Sequence, residues 1–212
     1  MQLVKKCVLV TAILGAVPLA ASAGDGGTLY TQLGSNGVGL GYGVSVGQDW
    51  AVRGQYNAFK KTYTGSVSDF GSTAVVTADI DLSTFQMLAD WYTGTGGFRL
   101  TGGLVVNNNK ITLSATGATV GSATNQTVSA EIKLSDSPSP YLGFGYSSRP
   151  KYAKGFGFIF DAGIMFQDPK VTLTASGGAS AADIEAQRVK VQDAVKDLKN
   201  MPVLAVGISY SF

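Results

Sequence analysis

Residues 38–46 read Val-Gly-Leu-Gly-Tyr-Gly-Val-Ser-Val, and their period of two decides the fold. Successive side chains of an extended chain point to opposite faces. Val38, Leu40, Tyr42, Val44 and Val46 therefore share one surface, and Gly39, Gly41, Gly43 and Ser45 share the other. One face is broad and apolar, and the other is nearly bare. The division recurs with Trp50, Val52, Tyr56 and Ala58 against Arg53, Gln55 and Asn57. It recurs again with Phe98, Leu100, Gly102, Leu104 and Val106 against Arg99, Thr101, Gly103, Val105 and Asn107. Phe156, Phe158, Phe160, Ala162, Ile164 and Phe166 stand in the same way against Gly157, Ile159, Asp161, Gly163, Met165 and Gln167.

Eight segments fit this pattern, near 28–35, 38–46, 50–59, 81–93, 98–107, 139–146, 156–166 and 202–212. Each is close to the roughly 9–11 residues that cross a bilayer as a tilted strand. A soluble sandwich also alternates, so two further features decide between the two. After the first hairpin the connections alternate in length: 47–49, 94–97 and 147–155 are short, while 60–80, 108–138 and 167–201 are long. Membrane barrels sort their loops this way, with short periplasmic turns and long extracellular loops. In addition, Trp50, Trp91, Phe98, Tyr146, Phe156, Tyr210 and Phe212 gather where strands meet the short turns, which is where an interfacial aromatic girdle belongs.

Composition agrees. Charged residues make up 14% of the 212-residue chain, against about 25% in a typical soluble domain, and 28 glycines occur without a collagen period. Lys5 and Lys6, the apolar run from Cys7 to Ala20 and the small triplet Ala21-Ser22-Ala23 form a secretory signal pattern over residues 1–23. The mature domain is expected over residues 24–212. Removing Lys5 and Lys6 from the 16 basic residues leaves 14 against 14 acidic ones, so no basic excess points to nucleic acid. The only cysteine, Cys7, leaves with the signal, so no disulfide framework is expected.

The final strand places Leu204, Val206, Ile208, Tyr210 and Phe212 on one face and ends on an aromatic residue. It resembles the C-terminal assembly signal of bacterial outer-membrane barrels, carried by Tyr210 and Phe212. With the signal pattern and the loop sorting, the chain is similar to the small barrels of the OmpA/OmpW-like superfamily. The resemblance implies an all-β, eight-stranded antiparallel transmembrane barrel in a Gram-negative outer membrane. It also implies a monomer that meets outer-membrane lipid and the outer-membrane assembly machinery.

Segments outside the strands read differently. Over residues 179–200, Ile184, Gln187, Val191, Val195 and Leu198 recur at helical spacing among charged residues, so a short loop helix is expected. It either caps the barrel mouth or binds a partner. The alternating runs Ile111–Ala115 and Val128–Leu134 suggest a hairpin extending the fifth and sixth strands. Asn125-Gln126-Thr127 matches a glycosylation sequon without meaning in a bacterial chain.

Catalytic chemistry is sparse. The chain has no histidine, so neither a serine triad nor a typical zinc site can be assembled. No enzymatic activity, cofactor or metal is expected. Gly37, Gly39, Gly41 and Gly43 lack phosphate-loop spacing and read as small inward residues. Asp79 and Asp81 are two carboxylates without the oxygen-rich loop that calcium requires.

The inward charges are more informative. Arg53, Asp90 and Arg99 fall low on adjacent strands, and Asp161 lies across the lumen, so the four are expected to form an ion-pair plug. Above them Leu82, Val105, Met165, Val203 and Ala205 are expected to line an apolar upper lumen. An apolar pocket over a polar floor suits a small hydrophobic ligand, and OmpW-like barrels are thought to pass such compounds sideways into the bilayer. Two functions therefore stand open: passage or binding of small hydrophobic molecules, or a closed structural barrel whose loops contact envelope or surface components.

Overall fold

The computed structural model describes residues 27–69, 72–94, 96–120, 123–148, 154–176 and 178–212. The signal pattern at 1–23 lies outside these residues. Eleven strands follow in chain order: β1 Gly27–Gly34, β2 Gly37–Val46, β3 Trp50–Asp69, β4 Ser72–Tyr92, β5 Phe98–Asn107, β6 Lys110–Val120, β7 Ala123–Lys133, β8 Ser139–Ser147, β9 Gly155–Phe166, β10 Lys170–Ser176 and β11 Asn200–Ser211. Among the described residues one helix, α1, spans Ala181–Ala194, and a 3-10 turn follows at Lys196–Lys199.

Eight of the strands close an antiparallel barrel in the cyclic order β1, β2, β3, β4, β5, β8, β9, β11. They match the eight segments expected from the sequence. Paired residues can be followed around the ring from Ser211 through Thr28, Gly43, Arg53, Leu88, Gly103, Tyr141 and Met165. The path returns to β11 at Met201, ten residues from its start. A shear of ten residues at about 3.3 Å each, over eight strands about 4.8 Å apart, tilts the strands by roughly 40°. A barrel of this size is only wide enough to be filled by its own side chains.

The bare face of β2 has a packing role. A Cβ on Gly41 would meet the Tyr30 ring, one on Gly39 the Asn57 and Gln55 side chains, and one on Gly43 the Arg53 stem. Glycine on β2 thus leaves lumen space for larger groups on β1 and β3. Gly37 is constrained by its backbone as well: at φ +95 and against the Ala58 backbone, a side chain has neither the conformation nor the room.

The long connections are not loops. β3 and β4 run on as one hairpin paired from Trp50↔Trp91 to Asp69↔Ser72. Above the barrel β4 exchanges β5 for β6, and β6, β7 and β10 continue the sheet. The expected hairpin over 108–138 is present, whereas most of 60–80 and the strand β10 within 167–201 correct the reading of those segments as loops. An asparagine joint makes the exchange. The Asn108 N–H donates to Ser83 O at 2.9 Å, and Asn109 Oδ1 accepts the Ser83 N–H at 2.8 Å.

The faces of this continuous sheet invert at the joint. Along the barrel the outer face is apolar, with Leu142 62% exposed, while Arg99 and Asp90 are buried inside. Above it the outer face carries Lys60, Asp81, Lys110, Lys133 and Lys170, which are paired directly with one another across five strands. The inner face there becomes apolar. Ile111, Leu113, Ile132, Leu134 and Val171 pack with Val191, Val195 and Leu198 from the end of α1 and the following turn. Helix α1 starts on a Ser180 cap whose side chain accepts from the Asp183 N–H. It is held by Gln192, which accepts the Val171 N–H at 3.0 Å and donates to Pro169 O at 2.8 Å. Of the five expected helix positions, Val191, Val195 and Leu198 enter this second core, and the helix covers the inner side of the extension above the mouth.

Candidate functional site

The four inward charges meet at the short-turn end of the lumen. Arg53 Nε lies 2.5 Å from Asp90 Oδ2, and its Nη2 lies 3.1 Å from both Asp90 Oδ1 and Asp161 Oδ1. Arg99 Nη2 reaches Asp161 Oδ1 at 2.7 Å, and its Nε lies 3.3 Å from Asp90 Oδ1. Each guanidinium thus touches both carboxylates, the cluster is neutral, and all four residues are buried. Position on the strands explains the meeting. Arg53 and Asp90 lie near the short-turn ends of β3 and β4, Arg99 lies just inside β5, and Asp161 stands on β9 across the barrel.

Three neighbours complete the cluster and were not singled out from the sequence. Gln32 Nε2 donates to Asp161 Oδ2 at 2.5 Å, Thr101 Oγ1 donates to Asp90 Oδ1 at 2.6 Å, and the Arg53 guanidinium lies 5.5 Å over the Tyr30 ring. Their only signal is inward parity, since Thr101 is two residues from Arg99 and Gln32 two from Tyr30. A Cβ on Gly145 would strike Asp161 and Arg99, so a glycine there gives the cluster its space.

The apolar group above is present but differs from the expected set. Val105, Met165 and Val203 pack with Leu88 and Tyr141. Ala205 borders a neighbouring cavity, and Leu82 does not join the group. Leu82 has the inward parity, but it pairs with Phe59 two residues above the buried Thr84, at the level where the barrel gives way to the extension. The inward side chains beside and above this group are polar. On β3 and β4 Gln55 donates to Asn57 at 2.6 Å and Asn57 to Thr84 at 3.1 Å, and one inward position above Val105 and Met165, Asn107 donates to Gln167 at 2.7 Å and Gln167 to Leu198 O at 2.7 Å. The lumen cavity bordered by Gln32, Asn36, Gln86, Tyr141 and Asp161 measures about 20 Å³. That is space for one water rather than for an organic molecule.

The expected aromatic positions all face outward at the short-turn rim. Trp50 stacks on Trp91 at 6.4 Å, Phe156 meets Tyr210 edge-on at 4.9 Å, and Tyr210 stacks on Phe212 at 6.4 Å. Phe98 and Tyr146 are paired across β5 and β8 on the same surface. Asp79 and Asp81 lie on the outer face of the extension against Thr62 and Lys60, and the described residues hold no group of three or more metal-type ligands.

The architecture is therefore a closed eight-stranded antiparallel barrel with a neutral, buried two-arginine, two-aspartate cluster and an inverted outer face. Among solved structures the chain is similar to Acinetobacter baumannii CarO, with a TM-score of 0.59 and 19% identity, and to Acinetobacter baumannii CarO2, with a TM-score of 0.61 and 20% identity. Each match covers 89% of this chain and 98% of the other. The likeness is one of fold. No family model and no curated protein matches the chain.

Asp161→Asn keeps the shape of the cluster but halves the negative charge facing two buried guanidinium groups, and it is expected to cost about 3–5 kcal/mol. Combining it with Arg53→Met should cost less than the sum of the two single changes, because the charge left unpaired is removed. Urea unfolding of the refolded protein measures both, and additive losses would contradict a mutually compensating cluster.

Proposed function

We propose that the chain is an integral protein of a Gram-negative outer membrane, a closed and non-enzymatic barrel that anchors the extension sheet and helix α1 above the outer leaflet. There they contact envelope or surface components. The observation that carries this reading is the inversion of the outer face. An apolar outer surface over buried arginine and aspartate suits hydrocarbon, and a lysine-rich surface directly above it suits an aqueous interface. Ten residues of tilted strand separate the Trp50 rim from Lys60, a rise of about 25 Å that equals the apolar band of such barrels. The aromatic rim and the terminal Phe212 fit the same placement.

The lumen supports closure. An arginine–aspartate cluster spans its short-turn end, and the cavity above holds about one water. Reconstituted in a planar bilayer, the wild type is expected to be electrically silent. Arg53→Ala and Asp90→Ala should open steady conductance wherever a heat-modifiable band shows that the variant has folded. Steady openings in the wild type would overturn the closed barrel.

One observation favours the second reading, passage of small hydrophobic molecules. Leu88, Val105, Tyr141, Met165 and Val203 give the lumen one buried apolar patch against which such a molecule lodges if the barrel breathes. On that reading Val105→Asp lowers cellular accumulation of an apolar probe while the barrel still folds. Unchanged accumulation ends it.

A further inference from the structure

The lysines above the apolar band are arranged in an unusual way. Lys110, Lys133 and Lys170 are direct cross-strand partners on β6, β7 and β10, so three like charges stand side by side on one face. Like charges directly opposite one another destabilise a sheet. The carboxylates nearby offset this only in part: Asp81 stands opposite Lys110 but is held by Lys60 at 2.9 Å, Glu131 lies 3.8 Å from Lys110, Asp136 lies 2.9 Å from Lys170 and feels the charge of Lys133, and Lys133 makes no ion pair within 4 Å among the described residues.

Beside these lysines the sheet is concave. At the joint where β5 gives way to β6, a recess of about 510 Å³ is bordered by Lys110 and Lys133, by the carboxylates of Asp81 and Asp136, and by Asn108 and Ser135, with Val106 at its lower edge. It is far larger than the lumen cavity and lies outside the barrel wall, immediately above the exposed aliphatic strip of Val106 and Leu104. Its chemistry is graded from bottom to top, with aliphatic side chains, then amides and hydroxyls, then ammonium groups beside the carboxylates of Asp81 and Asp136. That sequence matches an amphiphile with acyl chains, a sugar and a phosphate.

We propose that this recess binds the phosphorylated headgroup of an outer-leaflet glycolipid. The ammonium groups of Lys110 and Lys133 hold the phosphate. Asn108, Ser135 and the Asp136 carboxylate take the sugar hydroxyls, and an acyl chain descends along Val106 and Leu104. The proposal rests on the membrane reading above and names the lipid that the barrel's outer surface selects. Asp136 keeps its charge over the working pH range, because its hydrogen bond from Lys170 holds the carboxyl below its ordinary value, so it remains an acceptor for hydroxyl groups.

The test uses the mature chain refolded in detergent micelles and titrated with diphosphorylated lipid A, its fully dephosphorylated form, or inorganic phosphate. Retained lipid is counted by native mass spectrometry. Lys110→Gln and Lys133→Gln are each expected to weaken lipid A binding about fivefold, and together about thirtyfold. Lys196→Gln, on the turn after α1, should change nothing. Dephosphorylated lipid should bind wild type about thirtyfold more weakly, and millimolar inorganic phosphate should not displace lipid A. Equal binding by wild type and the double variant, equal binding of the two lipids, or displacement by inorganic phosphate overturns the proposal. Insertion into phosphatidylcholine vesicles, seen as a heat-modifiable band, is scored in parallel for every variant. If wild type does not insert, the membrane reading itself falls. If it inserts but does not discriminate between the lipids, only the glycolipid site falls.

Discussion

Two guanidinium groups and two carboxylates, each touching both of the opposite kind, occupy the short-turn end of the lumen, and much of the barrel is arranged around them. A buried charge is tolerable only when its partners are complete. Strands β3, β4, β5 and β9 must therefore keep their mutual register, since a one-residue slip would turn one of the four outward. Gly43 and Gly145 leave the space the cluster needs, and Gln32 and Thr101 supply its remaining donors. In a barrel this narrow the arrangement that satisfies the charges is also the one on which the proposed closure of the lumen rests.

The second constraint acts on the outer surface. One sheet continues without interruption from the Trp50–Trp91 pair to the Asp69–Ser72 pair of the β3–β4 hairpin, yet its two faces exchange character along the way. Along the barrel its apolar face points out and its polar face is satisfied internally. Beyond the joint at Asn107 to Asn109 the polar face points out, and the apolar face needs a cover. Helix α1 and the turn after it provide that cover through Val191, Val195 and Leu198. The boundary between the two regimes is where the lysine row and its recess lie, so the position of the joint fixes both.

Much of this was legible in the sequence. Eight strands could be read because, inside the barrel, apolar residues keep one parity over eight or more positions. The four charges could be assigned because each breaks the polar or small face of a strand with a formal charge. Gln32, Thr101 and Tyr30 were not legible as partners, since an uncharged inward residue resembles any other inward residue until its neighbour across the lumen is known. Leu82 had the right parity and the wrong height: parity gives a face, and only pairing gives a level. The upper parts of β3 and β4 and the strand β10 read as loop, and the hairpin of β6 and β7 had no visible partner, because alternation there carries the opposite meaning. Ile80, Ile111, Ile132 and Val171 form an inner row, while the Asp79–Thr112–Glu131–Thr172 row on the other face points out. Without the exchange of pairing on β4, nothing in the sequence links those residues.

The central claim is that one continuous sheet passes from hydrocarbon to water at the level of Lys60. Single cysteines placed outward at Leu104 and Val206 in the barrel, and at Thr62 and Thr172 in the extension, test it most directly through spin-label accessibility in lipid vesicles. The account predicts high oxygen and low nickel-complex accessibility at 104 and 206, and the reverse at 62 and 172. The same accessibility at all four positions would contradict it.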